Sequence, residues 1–317
     1  EVFDRLKVLG PYFSKKYSLT AAILIRQKNY KGAAKEYADM LTHCPRHFQT
    51  ATNGLLDLVD IDPLNEATFT TLFHIYSEAK DIQNVIVSYE SMRKKGMASK
   101  KFLYILIHMY SCTGKYDEAM KVAQEEIVKQ PDNPYLHIFL SRVYQSLMEF
   151  SKAKICIKKA SALDKQHEER YRSFYDVLNK NLRSCEKKLL ESINMHLKDK
   201  QCLDAIRDSE QLLRNVPDNK SYQTVFLKVI EKSISIFLAE ENIEEAVMLT
   251  DRLVTLKEKY PHVPVQVEVL KKRVADKRIT VYEDMISREK FTGDQLNRVR
   301  YELANIYLAE EKDYDRG

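Results

Sequence analysis

Apolar residues recur along this chain at helical spacing, and the stripes they form repeat with a period of 34 residues. Three independent positions follow the period, occupied in turn by the sets Tyr76/Tyr110/Tyr144, Val85/Ala119/Ala153 and Ile82/Tyr116/Phe150. A period of this length is typical of stacked helix–turn–helix units. The pattern therefore predicts an all-α chain in which each unit buries its apolar face against its neighbours.

The residues around the turn between the two helices of a unit resemble the tetratricopeptide repeat. The segment from Gly114 to Ala119 reads GKYDEA, with Tyr110 before it and Pro131 after it, and related segments surround Ala33, Ala205 and Ala246. A small residue at the Ala position lets the two helices approach closely. The resemblance implies a right-handed α-solenoid of such repeats. The chain has no Trp, so its units depart from the family pattern near their start.

The register is interrupted twice by the same length. Ala33 to Val85 and Ala153 to Ala205 are each 52 residues apart, which is one period plus 18. Eighteen residues suffice for one helix with its loop, so we expect inserted single helices at 47–59 and 168–182. A single extra helix upsets the alternation of inner and outer helices, and we expect the solenoid to change direction at both places.

These breaks suggest three parts of one continuous solenoid: an N-terminal repeat with its extra helix at 1–65, a three-repeat core at 66–165, and longer-helix repeats at 166–317. In the last part we expect helices at 221–239, from Pro264 toward Glu289, and at 293–311, followed by a turn at 312–315. The chain starts at Glu1 and stops where a second helix should begin. We therefore expect the natural protein to continue beyond both ends.

Composition narrows the possible functions. The 317 residues are 44% hydrophobic and 31% charged with a net charge of +5, which suits a folded helical protein and does not by itself indicate nucleic acid. The five cysteines include no CxxC pair, which favours a reducing compartment, the cytoplasm or the nucleus. No apolar run approaches the roughly 20 residues that a membrane span needs.

The chain carries no motif for catalysis or for a cofactor. It lacks GxxxxGK[ST], GxGxxG, HExxH and GxSxG, and its eight histidines form no set with metal-ligand spacing. Carboxylate pairs such as Glu125-Glu126 lie on polar helical faces. We therefore predict no enzyme activity, no metal and no cofactor.

The resemblance implies a binding groove, because the first helices of tetratricopeptide units line the concave side. Residues four apart share a helix face, so the matching columns form one patch: Thr70/Tyr104/Ile138, then His74/His108/Arg142, then Glu78/Cys112/Ser146. Tyr104, His108 and Arg142 offer an aromatic ring, a switchable donor and a fixed cation to a peptide or helix that carries a carboxylate. The alternative is that His74 and His108 fill space between units. The family's clamp for a chaperone tail is not reproduced.

A possible basic rim lies at one turn between units, formed by Lys94, Lys95, Lys100 and Lys101. It is either a solvated surface or a contact for an acidic protein or for phosphates. We interpret the chain as a protein-binding scaffold or adaptor in a multisubunit assembly, whose partners are other subunits or peptide segments. Two alternatives remain open: a chaperone-associated, client-binding protein, and a helical-repeat protein that binds nucleic acid.

Overall fold

The computed structural model describes residues 10–78, 80–287 and 293–314, with side chains as far as residue 307. Within these ranges the chain forms helices and no strand. The α-helices, numbered in chain order, are α1 Ser14–Arg26, α2 Tyr30–His43, α3 Phe48–Ile61, α4 Glu66–Glu78, α5 Ile82–Lys94, α6 Lys100–Cys112, α7 Tyr116–Lys129, α8 Pro134–Ser146, α9 Phe150–Leu163, α10 Glu168–Lys198, α11 Cys202–Asn215, α12 Lys220–Ala239, α13 Ile243–Lys259, α14 Val267–Ser287 and α15 Asp294–Tyr314. Short 3-10 turns at Pro45–His47 and Lys165–His167 precede α3 and α10.

Six turns between helices share one backbone geometry. The small residue near the start of each second helix (Ala33, Val85, Ala119, Ala153, Ala205 or Ala246) marks what we call the Ala-type position. In each turn, the residue five positions before it has a positive φ of 55° to 75°: Lys28, Lys80, Gly114, Met148, Lys200 and Glu241. The next residue then donates its N–H to a carbonyl five residues earlier, as Asn29 does to Leu24 at 2.8 Å and Lys115 does to Tyr110 at 2.9 Å. This left-handed cap satisfies carbonyls that the end of a helix leaves open. The repeat register predicted from the sequence is therefore confirmed, including its two interruptions.

The Ala-type positions allow the close helix contacts that this fold requires. Five of them are fully buried alanines, and Val85 is 8% exposed: the alanines are Ala33, Ala119, Ala153, Ala205 and Ala246. The paired helices α1/α2, α6/α7, α8/α9 and α12/α13 pack against each other, and the first helices α4, α6 and α8 also pack in series. The chain is thus an all-α array of tetratricopeptide-type helix pairs.

The chain divides into two compact units, Glu1–Asn179 and Lys180–Gly317, and the division falls within α10. Each unit has its own apolar core. In the first, Phe69, Leu72 and Leu106 are fully buried, and in the second Leu227 and Ile230 are. The three-part organisation at 1–65, 66–165 and 166–317 stays a prediction.

The first inserted helix is present. The expected segment 47–59 corresponds to α3, which packs against α2, α4 and α6. Gly54 is required there, because a Cβ atom at this position would lie 2.3 Å from the Tyr37 ring of α2. The extra helix is therefore built into the core of the first unit.

The second insertion does not form a separate helix. The expected segment 168–182 is the first half of α10, which continues to Lys198 over 31 residues. No Gly or Pro interrupts it, and 18 residues at about 3.6 residues per turn make five whole turns. The inserted residues therefore keep the apolar side chains on one face of α10. The buried residues of this face run from Tyr171 and Leu178 to Ile193 and Leu197.

The later helices agree with the sequence pattern except at their ends. Helix α12 matches the expected 221–239. Helix α14 begins at Val267, three residues after Pro264, and Glu289 lies outside the described residues. The expected turn at 312–315 is wrong as far as Tyr314, because α15 includes that residue; Asp315 is again outside the described part.

Candidate functional site

The first helices of three consecutive units, α4, α6 and α8, carry the predicted groove residues. Five of these residues are exposed: Thr70, His74, Glu78, Cys112 and Ser146. The Thr70 hydroxyl donates to the Glu66 carbonyl of its own helix at 3.0 Å. Tyr104 and Ile138 are each only 2% exposed. The outward orientation expected for these two residues is therefore wrong.

Tyr104 belongs to the core between α6 and α8. Its ring stacks on Phe139 with centroids 5.0 Å apart. Its hydroxyl donates to Asn133 Oδ1 at 3.2 Å and accepts from Asn133 Nδ2 at 2.9 Å. Burial raises the pKa of Tyr104 to about 12. Asn133 also accepts the Tyr135 N–H at 3.1 Å and so caps α8, which means that Tyr104 helps to fix the start of this helix.

A cavity of about 430 Å³ lies against α6, α8 and α10 and contains several of the predicted residues. Its polar wall includes four residues that the sequence pattern had grouped: His108, Cys112, Arg142 and Ser146. Glu66 and Ser141, which the pattern had not grouped, complete this wall. Its apolar wall is formed by Ile107, Ile138, Phe139, Ile157, Phe174 and Val177. The tertiary structure therefore gathers part of the predicted groove around one partly open cavity.

Arg142 is the principal charged group of this cavity. Its Nη2 atom donates to the Leu64 carbonyl at 3.2 Å, and its guanidinium lies over the rings of Phe139 and Phe174 at 5.2 and 5.9 Å. Its Nη1 atom is buried without a hydrogen-bond partner among the described residues, and so is the Ser141 hydroxyl. Burial lowers the pKa of Arg142, while Glu66 and Asp62 oppose this. An arginine remains charged in proteins, so a cation with one unpaired, buried N–H group lies in the wall of the cavity.

His108 is neutral at physiological pH. Burial and the nearby Arg142 charge lower its pKa to about 4. Its Nε2 atom lies 3.4 Å from Cys112 Sγ, and its ring packs against Phe69 and Phe73 at centroid distances of 5.5 and 6.5 Å. The expected switchable donor is therefore a packed imidazole that does not titrate near pH 7. His74 stays on the exposed face of α4.

Sequence reasoning missed the residues that support Arg142 from other helices. Asp62 is buried and accepts two hydrogen bonds from Arg170 at 2.8 and 3.0 Å. Leu64 follows two residues later and accepts from Arg142. Asp62 and Arg170 are 108 positions apart, and no periodic signal joins them.

The predicted basic rim is not one patch. Lys101 donates to Asp60 at 2.6 Å. Lys100 lines a cavity of about 480 Å³ that also includes Tyr104 and Asn133. Lys94 and Lys95 line a different groove of about 540 Å³ on α5. The four lysines therefore face three different environments.

The described residues contain neither a membrane-spanning helix nor a cluster of metal-binding side chains. No helix in these ranges is both long and apolar enough to span a bilayer. No group of three or more His, Cys, Asp and Glu side chains within them could hold a metal ion.

Comparison with known proteins identifies similar folds at low sequence identity. No protein-family model and no curated protein matches the chain. Among solved structures, a tetratricopeptide repeat protein from Parabacteroides merdae is 11% identical, with 93% of this chain and 98% of that chain covered and a TM-score of 0.30. The TPR domain of P58(IPK) is 15% identical, with 96% and 90% covered and a TM-score of 0.28. The Cut9–Hcn1 hetero-tetramer of the APC/C is 15% identical, with 83% and 46% covered and a TM-score of 0.31.

Proposed function

We propose that this chain is a protein-interaction scaffold whose first unit binds an extended partner segment along α4, α6 and α8. The observation that carries the proposal is Arg142, which lines a cavity of about 430 Å³ and whose buried Nη1 atom has no hydrogen-bond partner among the described residues. An unpaired buried donor costs about 1–3 kcal/mol or more if charged. A ligand that satisfies this donor recovers that free energy on binding.

The walls of the cavity favour a carboxylate as the group that reaches Arg142. Planar carboxylates match the fork of a guanidinium, and the Ser141 hydroxyl is a second unpaired donor nearby. The dianionic charge of a phosphate would meet only one cation here and the Glu66 carboxylate on the same wall. The proposed ligand is therefore an Asp or Glu side chain of a partner segment, with the rest of the segment along Thr70, His74, Glu78, Cys112 and Ser146.

We assign the chain no catalytic residue and no cofactor. Cys112 lies beside His108 with Sγ 3.4 Å from Nε2, and burial raises the pKa of the thiol while it lowers that of the imidazole. Both shifts oppose the thiolate–imidazolium pair that a cysteine nucleophile needs. The proposed partners are other protein subunits in an assembly, in the cytoplasm or nucleus.

A selection from a random peptide library displayed on phage, with the whole chain as bait, tests the proposal. We expect the selected peptides to share one Asp or Glu. Replacing it by Asn or Gln should weaken binding to the wild-type chain about tenfold, because a charged hydrogen bond contributes about 1.5–3 kcal/mol. The variant Arg142→Met should bind the acidic and amide peptides equally.

Arg172→Met is the matched control, since Arg172 is exposed on α10 and its loss removes the same charge. This variant should behave as wild type. Tyr104→Ala is unsuitable, because the loss of a core ring would disturb folding. The proposal is wrong if Arg142→Met keeps the wild-type preference for acidic peptides while circular dichroism shows an unchanged fold.

A further inference from the structure

The groove on α5 is separate from the Arg142 cavity and has its own chemistry. It measures about 540 Å³ and lies between α5, the end of α6 and the start of α7. On α5 its lining residues recur every three or four positions and form one face of the helix: Gln83, Ile86, Val87, Glu90, Ser91 and Lys94. Lys95, directly after the helix, also lines the groove. Lys115 and Glu118 line the opposite side.

The charged side chains in and beside this groove leave a net positive charge. Glu90 is already hydrogen-bonded, because Arg93 donates to its carboxylate at 3.1 Å and Tyr110 donates at 3.1 Å. Arg93 also pairs with Glu125 at 2.7 Å. Neither Lys94 nor Lys95 has a carboxylate partner among the described residues, and the Lys115 ammonium contacts only the neutral Gln83 amide at 3.4 Å. Three lysines are therefore opposed by Glu118 and by the single net negative charge of the Glu90–Arg93–Glu125 cluster.

An exposed aliphatic side chain lies beside these cations. Val87 is 57% exposed, and it precedes Lys94 by seven residues, which is about two turns or about 10 Å along the helix. An apolar contact next to a cluster of cations suits a partner helix with an acidic side. Nucleic acid fits less well, because Glu118 would repel phosphates and Val87 offers them nothing.

We propose that the α5 groove binds an acidic amphipathic helix of a protein partner. An aliphatic residue of the partner packs on Val87, and carboxylates two turns away pair with Lys94 and Lys95. The length of α5 fixes this spacing. The site does not depend on the Arg142 cavity.

A labelled helical peptide of about 20 residues, rich in Ala, tests the site. It carries Leu at its centre and Glu seven residues to either side, so that either orientation of the peptide can bind. We expect measurable binding by fluorescence anisotropy that weakens as salt is raised. A second peptide with Glu five residues from Leu places the charges on another face and should bind about fivefold more weakly.

Variants of the chain locate the binding. Lys94→Glu/Lys95→Glu should weaken binding about tenfold, equivalent to about 1.4 kcal/mol, and Val87→Ser should weaken it about threefold. The matched control is Lys158→Glu/Lys159→Glu on α9, which reverses the same charge at two exposed lysines and should leave binding unchanged. Arg142→Met should also leave it unchanged. If circular dichroism shows that Lys94→Glu/Lys95→Glu is misfolded, the test uses Lys94→Gln/Lys95→Gln together with Val87→Ser instead.

Three results would overturn the proposal. One is an equal loss of peptide affinity in Lys94→Glu/Lys95→Glu and in Lys158→Glu/Lys159→Glu, which would mean that the peptide responds only to the net charge of the chain. Another is equal affinity for the two peptide spacings. The third is a single-stranded RNA of about 12 nucleotides that displaces the peptide and loses affinity in Lys94→Glu/Lys95→Glu, which would identify a nucleic-acid surface.

Discussion

At the scale of single residues, burial sets the chemistry of the candidate site. His108 and Arg142 occupy equivalent positions on α6 and α8, yet one is a neutral ring packed on Phe69 and Phe73 and the other is an enclosed cation. The charge on Arg142 lowers the pKa of His108 further and so favours the neutral imidazole. A protonated His108 would place two cations at one cavity wall.

This depressed pKa predicts a dependence of stability on pH. The folded pKa of His108 is about 4, whereas a histidine in an unfolded chain titrates near 6.5. The unfolded state therefore binds more protons between these values, and the free energy of unfolding falls as pH decreases from about 6.5 to about 4. The full contribution is about 3 kcal/mol, present above pH 6.5.

Urea unfolding of the wild type and of His108→Gln at pH 7, 6, 5 and 4 measures this contribution. The variant should lose less stability across the window, by up to about 3 kcal/mol at pH 4. His74→Gln is the control, since His74 is exposed on the neighbouring helix, and it should follow the wild type. If the free energy of unfolding changed equally with pH in the wild type and in His108→Gln, the buried, neutral state of His108 would be contradicted.

At the scale of elements, the turn is the unit that repeats most faithfully. Five of the six left-handed turn positions hold a side chain, and only Gly114 holds glycine. A side chain at positive φ costs about 1–2 kcal/mol relative to glycine, whereas glycine costs about 0.5–1 kcal/mol because it loses more conformational entropy on folding. The chain therefore maintains its turns through helix packing and not through glycine.

These turns predict opposite effects for two exchanges. Lys28→Gly should raise the free energy of unfolding by about 0.5–1 kcal/mol, because it relieves a φ of 57° at an exposed position. Gly114→Ala should lower it by about 1 kcal/mol through the backbone alone, since an added Cβ atom meets nothing within 4 Å. Chemical denaturation measures both values, and destabilisation by Lys28→Gly would contradict the assigned turn.

Helices were the easiest feature to predict from the sequence, and their ends were the hardest. The 52-residue gaps located both insertions, but the first 18-residue insertion forms the separate helix α3 and the second forms part of α10. Asp62-Pro63 follows the first insertion and stops its helix. The second has no such stop, so helical hydrogen bonding continues through it.

At the scale of the whole molecule, each of the two units has its own buried cluster. In helical repeat proteins, stability is roughly a sum of units and of contacts between neighbouring repeats. A destabilising substitution in one core should therefore lower the stability mainly of the unit that contains it.

Leu55→Ala tests this expectation, because Leu55 is fully buried in the first unit and such a truncation costs about 2–5 kcal/mol. Amides of α3, α4 and α6 should exchange faster with solvent deuterium. Amides around Ile230 in α12 should keep their protection, and Leu227→Ala should give the reverse pattern. Equal loss of protection in both units for either variant would mean that the chain unfolds as one cooperative body.

The sequence by itself determined the helical class, the repeat register, the positions of six turns and the presence of two insertions. These follow from periodicity and backbone sterics, which act between residues close in the chain. Only the tertiary structure decided that Tyr104 and Ile138 face inward and that His108 is neutral. It also decided that Arg142 meets Leu64 and Phe174 at a cavity. Burial and charge at these residues depend on helices far apart in the chain, and no local pattern encodes those contacts.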